Sequence, residues 1–497
     1  MNILTADFGT TSLKVSAFNP ELRCLSRSQQ EYALTTTPEG YIELAPERYW
    51  TLLCNGIRAC CAALPEHETV GSIVLTTQGE TLIAVDRDGA PLRNAIVWLD
   101  SRAEQEAAAV RSLMSAGEFY RHTGISNCDA TCPFCKVLWL KAHEPEVYAK
   151  AHRLLLLEDY LIFRLTGRFV SEKALMSTTG YYDIYHDCMW DSLLERCGLD
   201  ADRFPEVLEC GTAVAHLTQE AAAAVNLPSS VTVYTGAMDQ VCASIGAGVT
   251  APGVLSENTG TAMVLGAVAD RSALESPPYV TVYRHAYPDT YLLMPICMTG
   301  GIFLKWFKDE FCFPEQQQAG AEGVSVYSLL DRLAEKSPAG SRGLFALPYL
   351  NGSSQPQLLS NNSGVFYGIG LSHTRGDFVR CILEAVGYML LENITLIEEK
   401  SGTEIRQVYS CGGGSQSSLW CQIKTDILNR PVIRPQETEL TSLGAAMLAL
   451  GRRTPVSALA PSVFTPDGGL RACYDQAYRK YCQLLQALFS TSQEADI

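Results

Sequence analysis

Two stretches of this chain align without a gap. They are "ILTADFGTTSLKV" (Ile3–Val15) and "VLSENTGTAMVLG" (Val254–Gly266), and Gly9-Thr10 falls on Gly260-Thr261 at an offset of 251 residues. Each reads as strand, Gly-Thr turn, strand, and each opens one half of a chain of 497 residues. That length exceeds what one hydrophobic core supports, so two domains of roughly 250 residues are expected. The echo at the head of both halves predicts a duplicated unit. Strand and helix patterns alternate in each half, which predicts α/β layers. The turn-rich "VTAPG" (Val249–Gly253) marks the join, giving domains over 1–248 and 249–497.

Charge narrows the function. A formal net charge of -16 lacks the basic footprint of a nucleic-acid binder. It leaves phosphate ligands open, because backbone amides and a metal ion act locally. The N-terminal "MNILTADFGTTSLK" shows no secretory pattern and no run is long and apolar enough to span a membrane, so a cytoplasmic chain is expected. Its 18 cysteines are then expected as reduced thiols that pack as small hydrophobes.

Several segments carry residue types suited to phosphoryl transfer. "DFGTTS" (Asp7–Ser12) ends a strand on a carboxylate and follows it with Gly9, Thr10, Thr11 and Ser12 in a tight turn. Amides and hydroxyls in such a turn form an anion nest, and Asp7 could orient a hydrated Mg2+ beside it. An ordinary hairpin would show the same pattern. "GAMDQ" reads as a strand ending in Asp239, where a carboxylate could accept a hydroxyl proton or simply cap a helix. "CGGGSQSSLW" predicts a strand end, a glycine turn and a helix beginning near Ser415, suited to a ligand lying close to backbone. No Walker or dinucleotide fingerprint occurs. Gln78, Glu80, Trp98, Asp100 and Arg102 lie near strand ends, as amides, carboxylates and an aromatic face would in a polyhydroxylated pocket. Each alone also fits a surface or capping role. His122, His143 and His373 show no metal spacing and are expected to be structural.

Taken in order, "DFGTTSLKVSAFN", "DRDGAPLRNAIVWLDSRA", "KVLWLKAHEPEVY", "EDYLIFRLTG", "GAMDQVCASIGAG" and "GGGSQSSLWCQIKTDILNRPV" resemble the FGGY family of carbohydrate kinases over nearly the whole chain. The resemblance implies an α/β fold of two ribonuclease-H-like (actin-like ATPase) domains with a deep interdomain cleft. It makes Asp239 the general base, with Asp7 and Gly9-Thr10-Thr11-Ser12 as the Mg-ATP phosphate site. Gly260, Thr261, Gly301, Lys305, Gly413, Gly414 and Ser417 take the nucleotide side. Gln78, Gly79, Glu80, Trp98, Arg102, Thr131, Asp239 and Gln240 take the substrate side. The implied cofactors are ATP and Mg2+, and the implied partner is a small sugar or polyol; a homodimer is a further expectation.

The substrate pattern is mixed. The chain looks like the xylulokinase branch, which typically has Met-His where this sequence has Gly79-Glu80. Glycerol kinases carry Arg-Glu there, and Gln240 also leans toward the polyol type. A ketopentose such as xylulose is the preferred expectation; glycerol, a tetritol, a hexulose or a sugar acid are the alternatives. Two readings from other classes stand beside these, a non-catalytic nucleotide-responsive regulator and a radical iron–sulfur enzyme. The second rests on "NCDATCPFC" (Asn127–Cys135), whose Cys128, Cys132 and Cys135 have the C-x3-C-x2-C spacing. No barrel pattern accompanies it; the family resemblance instead implies that the stretch runs toward the substrate side of the cleft and belongs to the sugar pocket, with Thr131 facing the ligand.

Overall fold

A computed structural model describes residues 1–275, 280–352, 364–453 and 460–489. The chain forms two units, and neither is continuous in sequence. The first comprises Met1–Ala251, Val268–Leu293 and Glu439–Ala458; the second comprises Pro252–Ala267, Met294–Thr438 and Leu459–Ile497. The chain leaves the first unit after Ala251 and returns to it twice, at Val268 and at Glu439.

In the first unit the central sheet is built from β1 (Asn2–Phe8), β2 (Ser12–Phe18), β3 (Cys24–Glu31), β4 (Val70–Thr77), β5 (Ala213–His216) and β6 (Thr232–Tyr234), in the order β5-β6-β4-β1-β2-β3. β1, β2 and β3 form an antiparallel meander, β1, β4 and β6 run parallel, and β5 closes the edge antiparallel. Strands covered on both faces should read as apolar runs. β1 is buried along nearly its whole length although Asn2, Thr5 and Asp7 interrupt its apolar residues, and Leu4, Ala6 and Phe8 join Leu75, Tyr49 and Ile57 in one core. Tyr49 and Ile57 come from α1 (Pro46–Ala62), which opens on a proline, whose fixed φ and missing N–H suit the first turn.

The second unit repeats the plan. β7 (Val254–Thr259), β8 (Met263–Ala269), β9 (Ile296–Cys297), β10 (Gln407–Cys411), β11 (Val432–Arg434) and β12 (Ser462–Phe464) pair in the order β8-β7-β10-β11-β12, with β9 against β8. β7 and β8 form the antiparallel hairpin, β7, β10 and β11 run parallel, and β12 is antiparallel. The β1–β2 and β7–β8 hairpins are the two aligned sequence stretches, so the echo reports a duplicated sheet. Behind this sheet runs the 27-residue helix Arg375–Ser401, started by Thr374 and Asp377 in a reciprocal cap.

Glycines explain one return of the chain to the first unit. The helix Asp239–Ala247 packs on the helix Leu440–Ala449. A Cβ on Gly246 would lie 2.0 Å from the Leu440 carbonyl oxygen, and one on Gly444 would lie 1.9 Å from that of Cys242. Only residues without side chains allow the two backbones this approach.

Candidate active site

Backbone register assembles the first site. Asp7 stands opposite Lys14 in the β1–β2 ladder. Lys14 in turn pairs with Glu439 at 2.8 Å, at the head of the Leu440–Ala449 helix. The intervening turn is closed by the Gly9 amide on the Ser12 carbonyl at 3.0 Å and the Tyr32 amide on the Thr11 carbonyl at 2.9 Å. The Tyr32 hydroxyl donates to the Gly9 carbonyl. Trp98 Nε1 donates to Thr10 Oγ1 at 3.1 Å, fixing that hydroxyl.

Asp239 is the first residue of its helix; β6 ends five residues earlier, so the aspartate does not close the strand as the sequence pattern predicts. The connection over 235–238 is clamped instead. Glu158 accepts from the Gly236 amide at 3.0 Å, and Thr76 Oγ1 donates to the Ala237 carbonyl at 2.7 Å. Burial pushes the Asp239 carboxyl up to about 6, against hydrogen bonds from Gln240 that hold it down. Asp7 is pushed up to about 7 by burial first and by the Asp239 charge next, while Lys14 pulls it down. A buried carboxylate whose proton affinity is raised further by a neighbouring carboxylate's charge marks an electronegative patch, which a cation or a proton must offset.

Around Asp239 the fold gathers further polar groups. Glu80 sits in the left-handed backbone region at φ 67. Burial raises its carboxyl to about 8, Lys136 opposes this, and Asp129 and Asp239 add to it. Lys136, wholly buried, donates to the carbonyls of Glu80, Val97 and Trp98 at 3.1, 3.0 and 3.2 Å. Desolvation lowers its pKa to about 8. The buried Tyr283 phenol feels the charges of Glu80, Asp129 and Asp239. Thr131 is tied to Asp129, which accepts from its amide at 2.9 Å and its hydroxyl at 2.6 Å. Gln78 is buried with its Oε1 unpartnered, while its Nε2 donates to Thr81.

Arg102 departs from its expected role. It is stacked on Tyr41 and Trp139, it bonds both oxygens of Asp100 at 2.8 Å, and it pairs with Glu43 at 2.8 Å. A guanidinium so engaged holds the Ile42–Asp100 region together and does not face a ligand. His122 is likewise not isolated: its ring bonds Asp183 at 2.6 Å and stacks on Trp190.

The second unit carries its own pocket of about 540 Å³, within the range of small-molecule sites. Its wall includes every nucleotide-side residue named from the sequence: Gly260, Thr261, Gly301, Lys305, Gly413, Gly414 and Ser417. The Gly301 amide donates to the Gly260 carbonyl at 2.7 Å, and Gly300 and Ile302 donate to that of Thr261, so the β7–β8 turn rests on the start of a helix over Gly301–Phe311. Gly413 and Gly414 lie in a single 3-10 turn, and the helix after it begins at Ser418, later than the sequence indicates. Ser417 caps that helix by accepting from the Trp420 amide at 3.0 Å. Trp420, Tyr327 and Asp331 also line the pocket. Trp420 and Tyr327 carry no ligand signal in the linear sequence, because an aromatic at helical spacing looks like core until its neighbours are placed, and Asp331 reads as an ordinary helix-surface carboxylate.

Residues 2–246 match the N-terminal domain of the FGGY family of carbohydrate kinases, and residues 255–451 match the C-terminal domain of the same family. The chain belongs to the FGGY family of carbohydrate kinases. Xylulose kinase of Bacillus subtilis (strain 168) is 28% identical over 448 residues, 90% of this chain and 87% of that protein. Gluconokinase of the same organism is 26% identical over 449 residues, again 90% and 87%. The crystal structure of xylulose kinase from Rhodospirillum rubrum superposes with a TM-score of 0.89 at 26% identity, covering 99% of each chain. FGGY members are phosphotransferases with an alcohol group as acceptor, and the two duplicated sheets found here are the fold of that family.

Proposed function

We propose that this kinase transfers the γ-phosphoryl group of ATP to a terminal hydroxyl of a small neutral sugar, a ketopentose of the xylulose kind. The carrying observation is Asp239, a half-buried carboxylate clamped at a helix start among Asp7, Glu80 and Asp129. Asp239 accepts the proton of the attacking hydroxyl. A carboxyl whose pKa is drawn toward 6 is a better acceptor than an ordinary aspartate and remains ionised at neutral pH. In the second unit the Gly260-Thr261 turn, the Gly413-Gly414 turn and Ser417 hold the nucleotide through amides and hydroxyls.

Mg2+ fits the first unit. Asp7 is a hard oxygen donor beside a hydroxyl-rich turn, and its raised pKa marks a place where positive charge is favoured. Asp7, through water, would hold the ion with the Thr10–Ser12 turn, and the ion would neutralise charge on the transferring group.

The composition of the sugar side supports a neutral substrate. Glu80, held largely protonated by burial, can donate to a sugar hydroxyl as well as accept from one, while the Asp129 and Asp239 carboxylates accept from hydroxyls and oppose a substrate carboxylate. The xylulose kinase likeness favours a ketopentose among neutral candidates. Trp98 and Gln78 support the pocket from behind, through Thr10 and Thr81, and Arg102 is not part of it. The test is coupled ADP release over pentuloses, hexuloses, polyols and sugar acids, with Asp239→Asn as control. Highest kcat/KM on a ketopentose, with turnover reduced by about 10²–10⁴ in the variant, is expected. Preference for gluconate, or an active variant, would overturn the reading.

A further inference from the structure

The reaction makes no use of Cys128, Cys132 and Cys135, yet the fold brings them together. All three are buried, at 5%, 4% and 0% exposure. Their Sγ atoms lie within 4.8 Å of one another, with Cys128 and Cys135 at 3.6 Å, and all are free thiols. A disulfide would engage two and leave the third. A single metal ion engages all three: zinc bonds thiolate at about 2.3 Å, which in tetrahedral geometry sets neighbouring sulfurs roughly 3.8 Å apart.

The surroundings suit thiolates. Cys132 is the cap and Cys135 the third residue of the helix Pro133–His143, so both sulfurs sit at its positive end. Arg111 reaches the same loop, donating to the Cys128 carbonyl at 2.7 Å. The Cys132 thiol donates to the Thr179 carbonyl at 3.3 Å, a hydrogen bond that metal binding would exchange for a Zn–S bond, and the next residue, Gly180, has φ +78. A Cβ there would lie 2.5 Å from Cys132 Sγ, so the absence of a side chain keeps space beside the sulfur. Cys128 also forms part of the wall of a cavity of about 120 Å³ with Arg111 and Asn127, which gives an entry path and room for a water ligand.

We propose that Cys128, Cys132 and Cys135 bind one Zn2+ as three thiolates, with water in the fourth position. Binding forms three Zn–S bonds and releases the three thiol protons to solvent, with no change of oxidation state. The resulting charge of −1 sits at the positive end of the Pro133–His143 helix, with Arg111, which also pairs with Glu104 at 3.0 Å, beside the loop. The site is structural. Between and beside its ligands lie Asp129 and Thr131, and Lys136 follows the last of them, so the ion fixes the strap that carries these residues.

The experiment uses the full chain, reduced and stripped with a chelator, then titrated with Co2+ and Zn2+. One equivalent per chain is expected, with sulfur-to-cobalt charge-transfer absorption that Zn2+ abolishes. Cys135→Ser should weaken Zn2+ binding by roughly 100-fold or more, and Cys188→Ser, at an exposed thiol, should not. Loss of the ion should raise KM for the sugar and leave kcat near its starting value. Circular dichroism and ATP affinity check the fold of the variant, and the titration of the unaltered chain decides the matter if the variant does not fold. No metal uptake by the reduced chain, a Cys128–Cys135 disulfide as the stable form in its place, or iron with visible cluster absorption would each overturn the proposal.

Discussion

Lys424→Met should be among the most damaging single changes in the second unit. Lys424 and Glu257 are both fully buried and pair at 2.5 Å. Lys424 also donates to Thr259 Oγ1 at 3.1 Å, while Glu257 accepts from Thr259 at 2.6 Å and from Ser410. Methionine keeps the length of the side chain and removes two charged donations, leaving a buried carboxylate without its cation. Hydrogen bonds to charged groups contribute about 1.5–3 kcal/mol each, and breaking a buried pair from one side costs about 3–5 kcal/mol. The second unit should therefore lose about 3–5 kcal/mol, or roughly 6–20 °C in melting temperature at 2–4 °C per kcal/mol. Because Thr259 lines the nucleotide pocket, KM for ATP should rise as well. Guanidinium denaturation of the single variant and of Lys424→Met with Glu257→Leu measures this. Removing both charges should recover most of the loss, since a packed apolar pair of similar volume is often neutral. A single variant within about 1 kcal/mol of the parent, or a double variant no better than the single, would refute the reasoning.

The acid limb of kcat/KM should fall near pH 6, because Asp239 acts as a base only when ionised; activity is held above that pH and declines tenfold per unit below it. A limb near 4 would show that burial does not shift the base. Glu80 is held largely protonated at pH 7, so Glu80→Gln should keep the sugar KM within about threefold at that pH, whereas Glu80→Ala should raise it further. Equal effects of both would remove Glu80 from the pocket. Gly444→Ala forces a Cβ into the Cys242 carbonyl and should destabilise the first unit by about 1–3 kcal/mol, read by thermal melting, while ATP affinity in the second unit stays unchanged. A neutral substitution would mean that the two helices separate at no cost.

Much of the fold was legible where it rested on local pattern. The strand–turn–strand stretches at Ile3 and Val254 became the two hairpins. The Gly260-Thr261 and Gly413-Gly414 turns read as short motifs, the family resemblance added Gly301 and Lys305, and all of them line one pocket. What failed depended on partners distant in sequence. Arg102 looked like a ligand contact until Glu43, Tyr41 and Trp139 were brought to it. Lys136, Asp129 and Tyr283 gave no signal, because an isolated Lys, Asp or Tyr in a linear chain has no chemistry of its own.

The sequence by itself determined the duplication and the two phosphate-type turns, since backbone geometry and turn chemistry are set by neighbours in the chain; Asp239 came forward as the candidate base through the ordered set of family motifs. Tertiary structure alone decided that Glu439 and the Leu440–Ala449 helix return to the first unit, that Asp7 and Asp239 share one electrostatic environment, and that Cys128, Cys132 and Cys135 face one another. The physical reason is that desolvation and charge coupling depend on which groups are packed together, and packing joins segments that the sequence keeps apart.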